Sequence, residues 1–298
     1  MRLLIAGWQG QLARALVETA SSRTDISALA LGRPALDLCE VRAIERALTE
    51  NRPDVVINTA GYTAIDAAED EPGRAFALNR DGARLLAEVA ARRGVPVIHM
   101  STVNVFDGSK PAPYAETDKA SPVNVYGASK LAGESDVQEA NPCHVILRTS
   151  WIISPYRNHF IASVLQKMRS GDVLRMVTDQ RGSPTYAPDL SVAVFDIAAR
   201  AHTARGNLSS SLWGTYHIAN AGEPATWHDL ASQVLCAAGH QAAAIDIERI
   251  ATRNFATRAS RPANAALDTS RLAATLGVTL RDWRAATSDA VQRLTTHP

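Results

Sequence analysis

The 298-residue sequence predicts an α/β protein in which a doubly wound parallel sheet carries a smaller C-terminal lobe. Three observations predict this class. Short apolar runs alternate with helical patterns through the first half of the chain, a glycine-rich turn follows the first apolar run, and the alternation loosens beyond Trp151. Strands that alternate with helices are joined by crossover connections, and such connections produce a parallel sheet.

The strands are recognised as short apolar runs. The run Val55-Val56-Ile57 is apolar throughout, as expected for a strand buried on both faces. The predicted strands are Leu3–Ala6, Ile26–Leu31, Asp54–Asn58, Val95–Met100, His144–Arg148 and Thr215–Ile218.

The helices are recognised by apolar residues that recur on one face. In the first of them, Leu12, Leu16 and Ala20 share a face. The predicted helices are Gln11–Ala20, Val41–Glu50, Gly73–Ala91, Val123–Ala140, Phe160–Arg169, Asp189–Ala201, Trp227–Ala238, Thr269–Leu276 and Leu280–Leu294, and a polar loop over Phe106–Pro122 precedes the fourth of these.

Composition excludes several classes of protein. Hydrophobic residues make up 46% and charged residues 20%, which is globular, and a net charge of +1 gives no reason to expect nucleic acid or a membrane surface as a partner. The widely spaced Cys39, Cys143 and Cys236 match no zinc pattern, so no metal is expected. With no secretory signal or long apolar run, we expect a cytoplasmic protein.

The turn after the first strand has the composition of a dinucleotide-binding turn. Gly7 permits a tight turn, and Gly10 lets the backbone approach a pyrophosphate. Gln11 and Leu12 open the helix, whose N-terminus offers free N–H groups to phosphates. The turn therefore predicts a Rossmann-type domain that binds NADPH or NADH.

The residue after the second strand is expected to contact the adenosine ribose of the cofactor. An acidic residue there binds the 2′-hydroxyl of NAD, whereas an arginine accommodates the 2′-phosphate of NADP. Arg33 occupies this position and favours NADPH, although it could equally be a solvated surface arginine. Further cofactor contacts are expected from residues in the following turn and after the third strand, namely Asp37, Leu38, Ala60, Gly61, Tyr62 and Thr63.

The chemistry is indicated by Tyr126 and Lys130, four residues apart and therefore on one helical face. A nearby ammonium lowers the pKa of a phenol, and a phenol tuned in this way donates a proton to a carbonyl while hydride arrives at its carbon. Thr102 closes the fourth strand at the same sheet edge, where its hydroxyl could bond the same carbonyl. We therefore predict that these three residues are catalytic.

The motifs taken together resemble the dTDP-4-dehydrorhamnose reductase family of the extended short-chain dehydrogenases/reductases, nearly end to end. The matching segments are Gly10-Gln11-Leu12, Asn58 through Glu69, Val105–Gly108, Asn124 through Glu134, Arg148–Trp151, Asp179 through Thr185, Arg261-Pro262 with Asn264, and Asp282-Trp283.

The resemblance implies reduction of the C4 ketone of dTDP-4-dehydro-L-rhamnose to dTDP-L-rhamnose by NAD(P)H. Tyr126 would be the proton donor, Lys130 its ribose-binding partner, and Thr102 would assist at the carbonyl. Thr102, Val103, Trp151 and Arg261 would contact the sugar nucleotide. Residues 1–150, with a return near 189–219, would form the NAD(P)-binding domain, and 151–188 with 220–298 the substrate-binding lobe.

Two positions depart from the family pattern. Val103 and Asn104 replace the usual Asp-Tyr after Ser-Thr, and Val103 cannot accept a hydrogen bond from a sugar hydroxyl. Some members form magnesium-bridged dimers through glutamates near the first helix, where this chain has Ala15, so that metal is not carried over. The chain is expected to be a monomer or a homodimer.

Two alternatives remain open. One is another sugar-nucleotide 4-ketoreductase, for example with a talose-type product, or an epimerase on the same scaffold. The other is a non-catalytic NADP-binding regulatory subunit resembling that of methionine adenosyltransferase. Retention of Tyr126 and Lys130 favours an enzyme, but fold alone does not decide function.

Overall fold

The computed structural model describes residues 1–156, 159–240 and 247–296. In chain order the strands are β1 Arg2–Ala6, β2 Ser27–Leu31, β3 Val55–Asn58, β4 Val97–Thr102, β5 His144–Thr149, β6 Ile152–Ile153, β7 Leu174–Val177, β8 Arg181–Gly182, β9 Thr185–Tyr186, β10 Gly214–His217, β11 Asn220–Ala221, β12 Ala225–Thr226, β13 Ile247–Ile250, β14 Asn264–Ala265 and β15 Leu280–Asp282. The α-helices are α1 Gln11–Ser21, α2 Val41–Asn51, α3 Ile65–Asp70, α4 Pro72–Phe76, α5 Ala83–Ala91, α6 Val125–Ala140, α7 Phe160–Ser170, α8 Ala187–Thr203, α9 Trp227–Ala237, α10 Ser270–Leu276 and α11 Trp283–Thr296.

The central sheet is parallel throughout and has the strand order β10-β5-β4-β3-β1-β2. Successive residues of β1 are buried in different cores. Leu3 and Ile5 pack with α1 and α8, whereas Leu4 and Ala6 pack with α2 and α5. Helices therefore cover both faces, which confirms the doubly wound α/β class.

The strand order reverses between β1 and β3, because the chain passes outward to β2 and then returns to the other side of β1. In doubly wound sheets, ligands bind at the carboxyl ends of the strands that flank such a reversal. Those ends are Gly7, after β1, and Thr59, after β3.

A second apolar core lies among α7, α9 and α11. It is built from Ile161, Leu165, Leu230 and Val291 among others, and the buried Trp283 indole donates to the Glu223 carbonyl. The first core also includes α8 and β10, which come late in the chain. Sequence therefore returns to the central sheet after the segment that begins at Trp151.

Two predicted helices differ from the structure. Gly73–Ala91 contains α4 and α5, but between them Ala77–Gly82 is a π-helical turn that brings Asn79 against α6. Leu280–Leu294 starts as a strand rather than a helix, because Leu280 and Asp282 pair with β11, and only then does α11 begin.

Other elements were not predicted. The helix α3, and the paired β7 and β13, have too few residues to display a clear period. Within the described ranges, no helix has the length and apolarity needed to cross a membrane.

Candidate active site

The glycine turn has the geometry that its sequence predicts. Gly7 has φ +99°, and a Cβ there would lie 2.8 Å from Thr59 Oγ1, so a side chain would collide with the next strand end. Gly10 is the N-cap of α1 and provides no side-chain cap, and nothing lies within 4 Å of where its Cβ would be. The open backbone at this helix start suits a phosphate group.

The two helix residues named with this turn have different roles. Leu12 is buried and belongs to the core beneath the sheet. Gln11 accepts a hydrogen bond through Oε1 from the Ser154 hydroxyl at 2.8 Å. This bond ties the start of α1 to the segment after β6.

The residues predicted beside the cofactor adenosine lie after β2. Arg33 is exposed, and no ion pair in the described part of the chain holds it. Asp37 accepts from the Cys39 N–H at 2.9 Å, and Leu38 is buried against Gly82. Arg33 is thus the cation that remains free to meet an anionic group here.

The segment after β3 is positioned by Asn79, which sequence reasoning missed. Asn79 Oδ1 accepts from the Tyr62 N–H at 2.8 Å, and Asn79 Nδ2 donates to the Tyr62 carbonyl and to Ser129 Oγ. The neighbouring residues of this loop are placed differently. Gly61 lies against the Asn79 amide, and Ala60 donates its N–H to Asn58 Oδ1. Thr63 is exposed. One buried amide on the π-helical turn therefore orients this loop relative to α6.

Thr102 and Tyr126 meet at the carboxyl edge of the sheet. Asn104 donates to Thr102 Oγ1 through its backbone N–H at 3.2 Å and its side chain at 3.1 Å. The Thr102 hydroxyl accepts both of these bonds and acts to lower the pKa of Tyr126, an effect that favours the phenolate. Asn124 caps α6 and accepts from the Gly127 N–H at 2.7 Å, which fixes the helix turn that carries Tyr126.

The expectation that Lys130 lowers the pKa of Tyr126 stays a prediction, because Lys130 is not among the groups that shift that pKa in this arrangement. Burial raises the pKa of Tyr126, and the hydrogen bond from Thr102 opposes that rise only in part. The Lys130 ammonium is turned to the sheet instead, where Nζ lies 2.6 Å from the Met100 carbonyl and 3.2 Å from His99 Nε2. The phenol is protonated at neutral pH, as an ordinary phenol is, but a raised pKa makes it a weaker acid, so proton donation depends on groups that stabilise the phenolate, such as Thr102.

A buried ion pair joins α6, through Glu134, to Arg148 on β5. Arg148 donates to Glu134 through Nε at 2.9 and 3.1 Å and through Nη2 at 2.6 Å, and Ser101 also donates to Glu134. The exposed fractions of the two charged side chains are 9% and 2%. The pair therefore joins α6 to β4 and β5 just beneath Thr102.

Trp151 stacks on Trp227, with ring centroids 3.8 Å apart and planes 13° apart. Trp151 has φ +38°, an unusual backbone conformation for a residue with a large side chain. Its ring lies over Gly182, and a Cβ on Gly182 would lie 2.4 Å from Trp151 Cε2. The Trp227 indole donates to Gln180 at 3.1 Å. Backbone strain and stacking together fix the Trp151 ring, and the sequence did not indicate Trp227 as its partner.

The remaining predicted substrate residues differ in placement. Val103 is 2% exposed and packs with Phe106 and Tyr114, which does not support a contact between its side chain and a substrate. Arg261 pairs with Asp66 through Nη2 at 2.7 Å, while its Nη1 is buried without a hydrogen-bond partner. Arg261 therefore keeps an unused donor near the start of α6.

Metal-binding geometry is absent from the described residues, which contain no group of three or more His, Cys, Asp or Glu placed to hold an ion. Ala15, at the position considered for a bridging glutamate, is fully buried on the inner face of α1.

The chain matches the family model described as the RmlD substrate binding domain over residues 1–296. It is 44% identical over 298 residues to a dTDP-4-dehydrorhamnose reductase of Sinorhizobium fredii, covering 99% of this chain and 98% of that protein. The chain belongs to the dTDP-4-dehydrorhamnose reductase family. This is a family of NAD(P)H-dependent oxidoreductases, and the resemblance inferred from the motifs is confirmed.

Two further relatives bear on substrate and cofactor. A protein of Streptomyces antibioticus named a probable dTDP-4,6-dihydroxy-2-methyloxan-3-one 4-ketoreductase is 36% identical over 97% of this chain and 94% of its own. The crystal structure of the family member from Bacillus anthracis in complex with NADP superposes with a TM-score of 0.88 at 29% identity, covering 100% of this chain and 99% of that chain.

Proposed function

We propose that this protein reduces the C4 ketone of dTDP-4-dehydro-L-rhamnose to dTDP-L-rhamnose, with NADPH as the preferred hydride donor and Tyr126 as the proton donor. The observation that carries the proposal is the placement of Thr102, at the carboxyl end of β4, beside the first turn of α6, where Tyr126 lies and where Gly127 packs against the Asn104 carbonyl. This place is at the carboxyl edge of the sheet, next to the strand-order reversal. The name of the Sinorhizobium relative supports the substrate.

The residues at the strand-order reversal fit a dinucleotide. Gly10 leaves open space at the uncapped start of α1, where N–H groups would hold the pyrophosphate. The exposed Arg33 guanidinium would meet a 2′-phosphate. The family resemblance assigns the nicotinamide ribose to Lys130, whose Nζ also donates to the Met100 carbonyl. When bound, the cofactor supplies the hydride that reaches C4 of the sugar.

The protein itself supplies the proton for the ketone oxygen, from the Tyr126 phenol. The Tyr126 phenol is protonated at neutral pH, so it can donate to the ketone oxygen as negative charge develops there. Thr102 donates a hydrogen bond that stabilises the resulting phenolate, and Asn104 orients the Thr102 hydroxyl by occupying both of its acceptor sites. Asn104 therefore has a function in this chain although it departs from the family pattern.

The substrate side is assigned to the segment beyond Trp151, which we propose is the substrate-binding lobe. The stacked Trp151 and Trp227 offer a rigid aromatic surface, and aromatic faces pack well against sugar and base rings. Buried Thr149 Oγ1 and Arg261 Nη1 have no protein partner, which makes them donors available to an anionic sugar nucleotide.

The test is NADPH oxidation by the purified protein with enzymatically prepared dTDP-4-dehydro-L-rhamnose, and identification of the product by NMR and mass spectrometry. Formation of dTDP-L-rhamnose is the expected outcome. A talose-type product would mean that the same groups act with the ketone presented on its other face. No oxidation of NADPH would refute the proposed reaction.

The matched variant is Tyr126→Phe, which removes one hydroxyl and leaves the ring. We expect kcat to fall by a factor of about 10²–10⁴, the usual contribution of a positioned acid, while NADPH affinity is unchanged. Thr102→Val should lower kcat less. Full activity in Tyr126→Phe would refute the role of the phenol, whereas binding of NADPH with no turnover in the unmodified protein would favour the regulatory-subunit alternative.

A further inference from the structure

A buried hydrogen-bonded chain, Asn58–His99–Lys130, runs under the proposed active site. Asn58 Nδ2 lies 3.1 Å from His99 Nδ1, and His99 Nε2 lies 3.2 Å from Lys130 Nζ. The exposed fractions of these side chains are 1%, 0% and 4%. Three neighbouring elements, β3, β4 and α6, contribute one residue each.

The orientation of the Asn58 amide determines where the proton sits on His99. The Ala60 N–H donates to Asn58 Oδ1 at 3.1 Å, so the NH₂ group of Asn58 faces His99 and donates to Nδ1. Neutral imidazole has one donor and one acceptor nitrogen. Nδ1 is the acceptor here, and the ring proton is therefore on Nε2, directed at Lys130.

This tautomer conflicts with a protonated Lys130. An ammonium group has only donors, so an Nζ–H would oppose the Nε2–H of His99. A neutral amine has a lone pair that can accept from Nε2–H while one of its own N–H groups donates to the Met100 carbonyl. We propose that Asn58 and His99 form a tautomer lock that stabilises the amine of Lys130 relative to its ammonium, and so makes the ammonium a stronger acid.

The surrounding charges are consistent with the lock. Burial lowers the pKa of His99 well below its usual range, and the charges of Lys130 and then of His144 on β5 act in the same direction, so the ring stays neutral. Burial lowers the pKa of Lys130 to about 8, against an opposing effect of Glu134, whose charge is already shared with Arg148.

Other charges on elements packed against α6 lie farther toward the surface and are paired among themselves. They are Arg80 with Asp81, Arg84 with Glu88 and Asp136, Asp66 with Arg261, Asp70 with Arg258, and Arg74 with Glu71, while Glu69 accepts from the Val125 N–H.

The lock extends the proposed function and rests on it. Each turnover converts the Tyr126 phenol to a phenolate that must regain a proton. The ammonium of Lys130 is the form that donates a proton, and with a lowered pKa it releases that proton more readily than a lysine with the usual pKa, which lies far above neutral. The amine that remains is the form that accepts from His99 Nε2–H. Asn58 and His99 are thus positioning residues that act through Lys130.

The first measurement is the tautomer of His99 in the unmodified protein, read from ¹⁵N–¹H correlations of the histidine rings. His99 is assigned by the signal that disappears in His99→Gln. A neutral ring protonated on Nε2 is expected. Protonation on Nδ1 would overturn the lock whatever the protein catalyses.

The second measurement is the titration of Lys130 by NMR of its ¹³Cε group. The chain has only four lysines, Lys110, Lys119, Lys130 and Lys167, so Lys130→Arg identifies the signal. The variant Asn58→Asp keeps the acceptor for the Ala60 N–H, but its second oxygen can only accept from His99 Nδ1. The ring proton then moves to Nδ1, and the lone pair of Nε2 faces Lys130. The pKa of Lys130 should rise by at least about one unit, a tenfold change in proton affinity.

His99→Gln separates the lock from the added charge of Asn58→Asp. A glutamine oxygen can face Lys130 without introducing charge, so the pKa of Lys130 should rise here as well. A rise in Asn58→Asp alone would show a charge effect and refute the lock, as would no rise in either variant. These titrations need no turnover, so they distinguish failure of the lock from failure of the proposed reaction.

Discussion

The buried Glu134–Arg148 pair permits a quantitative test of what supports the active site. In Glu134→Gln, one amide oxygen still accepts from Ser101 and Arg148 Nε, but the new NH₂ group faces Arg148 Nη2, donor against donor. Arg148 then remains a buried cation whose Nη1 already has no partner. Removing one member of a buried ion pair costs about 3–5 kcal/mol of unfolding free energy.

The partner variants complete a double-mutant cycle. Arg148→Met leaves the Glu134 carboxylate buried with Ser101 as its remaining donor, and a loss of about 3–5 kcal/mol is again expected. The double variant Glu134→Gln/Arg148→Met buries no net charge, so it should be less destabilised than either single variant. The coupling free energy should therefore exceed about 2 kcal/mol.

The assay is urea unfolding at neutral pH, followed by tryptophan fluorescence and far-UV circular dichroism to check that the two transitions coincide. The reasoning is refuted if the single losses sum to the double loss within about 0.5 kcal/mol, because that is the behaviour of independent sites. It is refuted equally if Glu134→Gln unfolds at the same urea concentration as the unmodified protein.

Three further predictions concern other parts of the molecule. Arg33→Ala should raise the Kd for NADPH more than that for NADH, measured by fluorescence titration; equal effects would exclude a contact with the 2′-phosphate. Gly133→Ala should destabilise by about 1–3 kcal/mol in urea unfolding, because its Cβ would lie 2.0 Å from the Asn79 carbonyl, whereas Gly73→Ala, with open space, should be neutral or stabilising. His217 is buried with its pKa lowered to about 4, first by burial and then by Arg148. The unfolded state therefore binds the extra proton as pH falls below the ordinary histidine pKa, and about 2 kcal/mol should be lost between pH 7 and pH 5, a loss that should be smaller in His217→Gln.

Much of the fold followed from local pattern. The apolar runs that became β1, β3 and β4 and the glycine turn at Gly7 are local features, and strands that alternate with helices along the chain form a parallel sheet. The errors occurred where pairing with a distant segment overrode local preference. Leu280–Asp282 is strand because β11 pairs with it, although its own sequence continues smoothly into a helix.

In the candidate site, too, some residues could be identified from the sequence and others only from the structure. Tyr126, Lys130 and the glycine turn could be identified from the sequence because their chemistry depends on residue type and short spacing. Spatial partners could not, since Trp227 comes to lie on Trp151 and Asn79 against Tyr62 only through packing of separate elements. The sequence also suggested that Lys130 would lower the pKa of Tyr126, whereas the direction of its side chain toward Met100 and His99 was decided by the tertiary structure.

The sequence by itself thus determined the α/β class, the family and the residue types available for hydride and proton transfer, because these are written in periodicity and in short motifs. Only the tertiary structure decided the protonation states and the contacts. Both depend on burial and on hydrogen-bond partners that are distant in the chain, as the tautomer of His99, set by Asn58 and Ala60, illustrates.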